Sequence, residues 1–339
     1  MKFLRYLLFP FGILYAIITN IRNWLFDLNI LKSKSFEVPV ICVGNLNVGG
    51  TGKSPMIEYL LRNLNNEFRI ATLSRGYKRE TSGYQVVSEN SSAKDVGDEP
   101  LQFKLNFNNI LVAVDEDRQH GISNLLKSKY SPNLILLDDA FQHRKVQADF
   151  NILLTAYGDL YCDDFILPVG NLRETKAGAK RAQCIVVTKC PKNLSKENQQ
   201  EIIKKLNPNS NQNILFSYID YADSVMNNKD NTIKTVLLND FDDFTLVTGI
   251  ANPQPLLSFL KERNKNFEHL KFPDHHHFSE SDLKSINSRS LILTTQKDYV
   301  RLRNFVDSSK LYYLPIETKI IGDNLKLTNQ VKAFLENQR

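Results

Sequence analysis

Glycine is scarce in this chain, 14 of 339 residues, yet Gly44, Gly49, Gly50 and Gly52 crowd just ahead of Lys53-Ser54. That pattern can hold phosphate. Backbone N–H groups of a glycine turn point inward, and the N-terminus of the following helix favours negative charge. A lysine there reaches the β/γ oxygens and a hydroxyl can ligate a divalent cation. Asn47, Gly49, Gly50, Thr51, Gly52, Lys53 and Ser54 are therefore the candidate nucleotide-binding residues, with Ser54 also a candidate Mg²⁺ ligand. The pattern G-x-x-x-x-G-K-[ST] expects glycine at position 47, where this chain has Asn47. Asparagine tolerates left-handed backbone better than most residues with a Cβ, so the loop is expected to close.

A phosphate loop needs a second strand beside it that ends in a carboxylate. NLILLDDAFQH supplies one, with Asp138 and Asp139 at the strand's C-terminal end. Ligands of open α/β sheets bind at that end, and a carboxylate there can hold Mg²⁺ directly or through water. Between the two motifs lie Ser74-Arg75-Gly76-Tyr77, Val96-Gly97-Asp98-Glu99-Pro100 and Asp115-Glu116-Asp117-Arg118. Carboxylates near an acceptor hydroxyl, and arginines around anionic groups, are what a kinase of a small acceptor requires. Other P-loop classes fit less well. ATPases that dimerise across nucleotide carry a lysine before the double glycine, where this chain has Val48. A GTPase reads guanine with Asn-Lys-x-Asp, and Thr188-Lys189-Cys190-Pro191 lacks the aspartate. Further on, His275, His276 and His277 follow Asp274. Adjacent histidines splay apart and seldom chelate one ion together. A solvated loop ahead of a helix capped by Ser279, with Asp282 at N3, accounts for them equally well.

These residues must be carried to one edge by the elements between them. Residues 38–43 form a continuous apolar run suited to a buried parallel strand. Ile57, Leu60, Leu61 and Leu64 then recur at helical spacing, with Pro55 near the first turn. Further strands are expected at 70–73, 110–114, 134–137, 152–154 and 184–188. Polar clusters follow them or fill the turns between, the repetition of a doubly wound, mostly parallel sheet. Strands at 214–219, 245–247, 290–294 and 311–314, with helices at 193–213, 255–263 and 281–286, suggest a second, smaller α/β domain. The expected division is 1–36, a hydrophobic helix; 37–175, the nucleotide-binding core; and 176–339, a second α/β portion whose smaller domain closes over the site.

Composition bounds the class of protein. With 42% hydrophobic and 24% charged residues, the chain can bury a core. The four cysteines are far apart, which argues for a reducing compartment and against a disulfide framework or cysteine zinc site. A net charge of +6 is too mild for a nucleic-acid binder. Much of the excess sits at the start: Lys2, Arg5, Arg22, Lys32 and Lys34 face only Asp27 within residues 1–36. Tyr6 to Ile21 carry no charge, but the run is short and contains Pro10, Gly12 and Asn20. A span wants about 20 predominantly apolar residues. A helix lying in a membrane interface, basic residues at the headgroups, is the favoured reading over a span or a core helix. It makes the protein monotopic or peripheral on a cytoplasmic membrane face. No obligate protein partner is evident.

The segments GNLNVGGTGKSP, LSRGYKR, VGDEP, DEDR, LDDAFQHR, LPVGNLRE, VTKCP, TGIANP, FPDHH and TTQKD, in that order, resemble the tetraacyldisaccharide 4′-kinase family of lipid A assembly. The resemblance runs from the N-terminus to about Val300. Ser54 stands where the family commonly has threonine, and Ala140 where it commonly has glycine. The resemblance implies a P-loop NTPase fold and transfer of the γ-phosphate of ATP, with Mg²⁺, to the 4′-hydroxyl of a lipid-linked disaccharide at the inner membrane. It implies Asp98 as the catalytic carboxylate paired with a histidine, His275 first and His276 second, alongside Lys53. Arg75, Arg118, Gln142 and Arg173 become candidate substrate contacts, and Ser54, Glu99, Asp138 and Asp139 the candidate metal shell. Two other readings stay open: a membrane-tethered P-loop switch ATPase, and a soluble small-molecule kinase whose N-terminal helix belongs to the core.

Overall fold

The computed structural model describes residues 5–229 and 232–337. The chain opens with α1 (Phe9–Asp27) and then alternates strand and helix. In order come β1 (Val40–Asn45), α2 (Lys53–Leu64), β2 (Ile70–Ser74), β3 (Gln85–Val86), α3 (Ala93–Val96), α4 (Asp98–Asn106) and β4 (Leu111–Val114). They are followed by α5 (Arg118–Lys127), β5 (Leu134–Asp138), β6 (Phe150–Ala156), β7 (Cys184–Thr188), α6 (Lys196–Leu206) and β8 (Asn213–Tyr221). A second body follows: β9 (Ser224–Lys229), β10 (Thr232–Leu237), β11 (Phe244–Thr248), α7 (Gln254–Glu262), β12 (Phe267–Lys271), α8 (Glu280–Asn287), β13 (Ile292–Thr295), α9 (Gln296–Leu302) and β14 (Leu311–Leu314). Finally β15 (Ile316–Ile320) and α10 (Lys326–Glu336) return to the first body.

The large sheet has nine strands in the order β15-β8-β7-β6-β1-β5-β2-β4-β3. Its seven inner strands run parallel; only β3 and β15, at the edges, are antiparallel. The central strands are buried along their whole length, as expected of a sheet covered on both faces. One core packs α2 and α10 on one face, through Met56, Leu60, Leu64, Leu327 and Val331. The other includes Cys42, Leu73, Ile122, Leu137, Leu153 and Phe216. Each fully buried Leu or Ile contributes ~1.5–3 kcal/mol relative to exposure. β1 lies between β5 and β6, so the phosphate loop after β1 and the carboxylates after β5 emerge side by side. That is the neighbourhood a P-loop site needs.

The smaller sheet is ordered β10-β9-β14-β13-β11-β12, with β11 to β14 parallel and the β9–β10 hairpin antiparallel at one edge. The expected break after residue 175 falls inside the large sheet, because β7 and β8 join it later and β15 closes its edge. The second body is thus an insertion between β8 and β15. These two strands pair antiparallel, and Ala222 N–H donates to the Pro315 carbonyl where the chain leaves and re-enters.

α1 is 19 residues long, and no helix among the described residues is long and apolar enough to cross a membrane. It is amphipathic in an unusual sense. Apart from buried Phe26 near its end, its inward face is small or polar: Gly12 approaches Val169, Tyr15 Oη donates to the Arg173 carbonyl at 3.0 Å, and Asn23 Nδ2 donates to Glu174 Oε2 at 2.8 Å. Its outward face carries Phe11, Ile13, Leu14, Ile17, Ile18, Ile21 and Trp24, most more than half exposed. The core-helix reading fails, since all the large apolar side chains of α1 but a few near its end, Phe26 among them, face away from the protein.

Candidate active site

Gly52 caps α2 in the left-handed region, φ +87°, and Gly49 has φ +119° with open space where a Cβ would sit. Conformation therefore demands glycine at those two positions. Asn47 has negative φ, so its departure from the pattern costs no strain. Its buried side chain donates to Asp164 Oδ2 at 3.2 Å, and its carbonyl accepts from Asn45 Nδ2 at 2.7 Å. Ala140 is likewise free of positive φ; the left-handed residue beside it is Asp139, φ +49°. The loop is pinned from β7: Thr188 Oγ1 donates to the Thr51 carbonyl at 2.7 Å, and Lys189 Nζ donates to the Gly50 carbonyl.

Lys53 Nζ lies 3.2 Å from Asn45 Oδ1 and 3.7 Å from Asp139 Oδ2. Asp139 also accepts from Arg173 at 2.8 and 3.2 Å. Burial pushes the Asp139 carboxyl up, but Lys53 and Arg173 outweigh it and hold the group below its ordinary range. Asp139 is thus already matched by two cations, a charge partner of Lys53 and not the open metal ligand expected from the sequence. Asp138 differs. It is buried, Oδ1 has no partner, and Oδ2 accepts from Ser74 Oγ at 3.3 Å. Burial, then the Glu99 and Asp139 charges, push its carboxyl up to about 7.

Glu99 joins the loop to the next helix, with Ser54 Oγ donating to its Oε1 at 2.7 Å. α4 starts at Asp98 because Gly97 takes φ +91° with its Cα facing Gly76, so both carboxylates head the helix where its dipole favours them. No group of three His, Cys, Asp or Glu side chains among the described residues forms a ready-made metal centre. The available donors are hard oxygens: the Ser54 hydroxyl, Glu99, and the unpartnered Asp138 Oδ1. That chemistry fits Mg²⁺, which keeps few protein ligands and takes the rest from phosphate and water.

The second body meets this edge at Asp98. His275 Nδ1 is 3.3 Å from Asp98 Oδ2, and Arg301 Nε donates to the same oxygen at 2.7 Å, with its NH2 bonded there too. Burial would raise the Asp98 carboxyl, but His275, Arg301 and Lys297 overcome it and hold the group down at about 2. Lys297 Nζ lies 3.3 Å from Glu99 Oε1 and 3.3 Å from His275 Nε2. His275 has φ +56°, strained for a residue with a Cβ, and its N–H donates to the Gly249 carbonyl at 3.1 Å. The Tyr77 ring meets it edge-on. His276 points elsewhere, stacked on Phe272 and 2.9 Å from Asp282 in the capping box of α8.

The four candidate substrate residues split in two. Gln142 Nε2 is committed to the Asn45 carbonyl and Glu174, and Arg173 to Asp139 and Asn45. Arg75 is exposed, while buried Arg118 donates through NH1 to the Asp115 carbonyl and leaves Nε and NH2 unpartnered. Sequence reasoning missed Lys297 and Arg301 as site residues. Their signal was present: Thr295-Gln296-Lys297-Asp298 follows a β-strand, and Arg301 is one helical turn beyond Lys297.

A parallel sheet with a phosphate loop at its centre, and a second body that sets a histidine and two cations over it, defines a P-loop phosphotransferase. The family model described as Tetraacyldisaccharide-1-P 4′-kinase matches residues 4–336. The tetraacyldisaccharide 4′-kinase of Flavobacterium johnsoniae is 56% identical, covering 99% of this chain and 98% of its own length. That of Bacteroides thetaiotaomicron is 43% identical, covering 95% and 91%. Among solved structures, the "apo" form of LpxK from Aquifex aeolicus in complex with ATP matches with a TM-score of 0.78 at 30% identity, over 98% of this chain and 99% of that one. This chain belongs to the tetraacyldisaccharide 4′-kinase family.

Proposed function

We propose that this kinase moves the γ-phosphate of ATP to the 4′-hydroxyl of a tetraacylated glucosamine disaccharide 1-phosphate, with Asp98 and His275 as the proton-accepting pair. One observation carries the assignment: an unbroken line of contacts runs from Ser54 of the phosphate loop through Glu99 and its neighbour Asp98 to His275. A nucleotide seated on the loop thus presents its terminal phosphate beside the pair. Lys53 binds the β/γ oxygens and Asp139 orients it. Ser54, Glu99 and Asp138 would hold Mg²⁺, which when bound supplies charge neutralisation on the phosphates. His275 takes the hydroxyl proton as the new P–O bond forms, and Asp98, a carboxylate across the working pH range, stabilises the resulting imidazolium. Arg75 and Arg118 have donors free for the anionic acceptor, whereas Gln142 and Arg173 support the loop.

The exposed apolar face of α1 supports a monotopic or peripheral site on the cytoplasmic face of the inner membrane, where a lipid-linked acceptor resides. The same face disfavours a soluble small-molecule kinase. The test supplies Mg·ATP and the lipid disaccharide in detergent and follows phosphate on the sugar. Asp98→Asn is expected to lower kcat by about 10²-fold or more while KM for ATP changes little. Equal loss of turnover and nucleotide affinity would assign Asp98 to the nucleotide pocket and sink this reading.

A further inference from the structure

Three charged groups crowd the His275 ring, and their hydrogen-bonding demands conflict. At Nδ1, the Asp98 carboxylate at 3.3 Å can only accept, so it calls for a proton on that nitrogen. The Arg301 NH2 at 3.0 Å can only donate, so it calls for a lone pair on the same nitrogen. Nothing on that side of the ring decides between them. At Nε2, Lys297 Nζ lies 3.3 Å away, and an ammonium is donor only.

We propose that Lys297 is a positioning residue that breaks this tie and holds neutral His275 in the Nδ1–H tautomer. With the proton on Nδ1, two of the three contacts are hydrogen bonds: Nδ1–H to Asp98 and Lys297 to the Nε2 lone pair. The displaced Arg301 gives up only that contact and keeps the rest, because its Nε and NH2 already bond Asp98 and its NH1 bonds Asp298 and the Gly249 carbonyl. With the proton on Nε2, only the Arg301 contact is satisfied. An N–H would then point at the ammonium and a lone pair at the carboxylate. The other charged or titratable neighbours, Glu99 on α4 and Tyr77 after β2, do not bond the ring nitrogens directly.

The framework around Lys297 keeps it in place. α9 begins at Gln296 immediately after β13, and its N-terminus is capped by Thr295, whose Oγ1 accepts from Asp298 N–H at 3.2 Å. Fully buried Asp298 accepts from Thr295 Oγ1 at 2.7 Å and from Gly249 N–H at 2.9 Å. Gly249 in turn anchors His275 through its carbonyl. Ring and ammonium therefore hang from the same small network. On the proposed chemistry, on which the catalytic value of the tautomer rests, Nδ1–H keeps the lone pair on Nε2, and the acceptor hydroxyl takes the place of the Lys297 ammonium there before its proton is transferred.

The tautomer can be read without turnover. Full-length, nucleotide-free protein with ¹⁵N-labelled histidine rings, held at about pH 8, above the ordinary imidazole value, gives distinct shifts for protonated and bare ring nitrogens. His275→Gln assigns the signal among the six histidines. The expected result is a His275 signal with Nδ1 protonated. In Lys297→Met the Nε2–H form should rise to a comparable or larger population, and adding Arg301→Met should return it to Nδ1–H. Unchanged signals from the other five histidines report an intact fold. Wild-type His275 protonated at Nε2, or tautomer populations indifferent to Lys297→Met, would overturn the proposal. Failure of the proton-acceptor reading appears elsewhere, as undiminished kcat in His275→Gln.

Discussion

Gly44 is the penultimate residue of β1, just before Asn45, and its place is set by contact, not by backbone conformation. A Cβ there would lie 2.6 Å from the Phe141 Cβ and 3.1 Å from its backbone nitrogen. Phe141 is buried and continues directly into Gln142, which bonds the Asn45 carbonyl. Gly44→Ala must therefore separate β1 from the segment after β5. The expected loss is ~1–3 kcal/mol of stability, read as a lowered midpoint in urea, with a raised KM for ATP because Asn45 contacts Lys53. Wild-type stability would mean that Phe141 yields without cost. Asn47→Gly should also fail to improve the enzyme: the backbone needs no glycine there, and the change removes the bond to Asp164. Its expected readout is an unchanged or lower melting temperature and no gain in kcat/KM.

Helix α1 inverts the usual pattern of a surface helix, with polar groups turned to the protein and apolar groups turned out. Replacing Ile13, Ile17 and Trp24 together by serine removes only outward side chains, so the fold should keep its stability to within about 1 kcal/mol. Binding to vesicles with anionic headgroups should fall sharply, measured by co-sedimentation. Retained binding would assign membrane contact to another surface. The composition of α1 was legible as an apolar helix; which side faced the protein was not, because Gly12, Thr19 and Asn23 acquire meaning only against Val169 and Glu174. Elsewhere the continuous apolar runs made β1, β2, β5, β7 and β14 legible to within two residues. The antiparallel strands at and next to the sheet edges were not. β9, with Asn227 and Asn228, and β15, with Glu317 and Lys319, carry polar residues that read as loop until a partner strand gives them a ladder. Missing β15 also hid the insertion of the second body, since the strand that closes the large sheet lies almost a hundred residues beyond β8.

At the scale of the whole molecule, the two bodies meet through charged and polar pairs beside an apolar contact, in which Val300 of α9 is buried in the core of the first body. Asp98 meets Arg301 and His275, Glu99 meets Lys297, and Gln296 Nε2 donates to Asn106 Oδ1 at 2.6 Å. The Asp98 carboxyl is held down at about 2 against an ordinary 3.8, although burial pushes the other way. A depressed carboxyl contributes stability that is present above the ordinary value and lost as pH falls toward the depressed one. For Asp98 that contribution is ~2 kcal/mol, and the window runs from about 4 down to about 2. Because its partners lie on the second body, the loss falls on the junction. Donor and acceptor dyes on α6 and α7 should therefore report separation of the bodies as pH drops through that window, with far-UV circular dichroism still native. Asp98→Asn should separate them already at neutral pH and flatten the acid response. If that variant keeps the wild-type dye distance at neutral pH, the junction is held by the remaining contacts and the ion pair is not what draws the second body onto the phosphate loop.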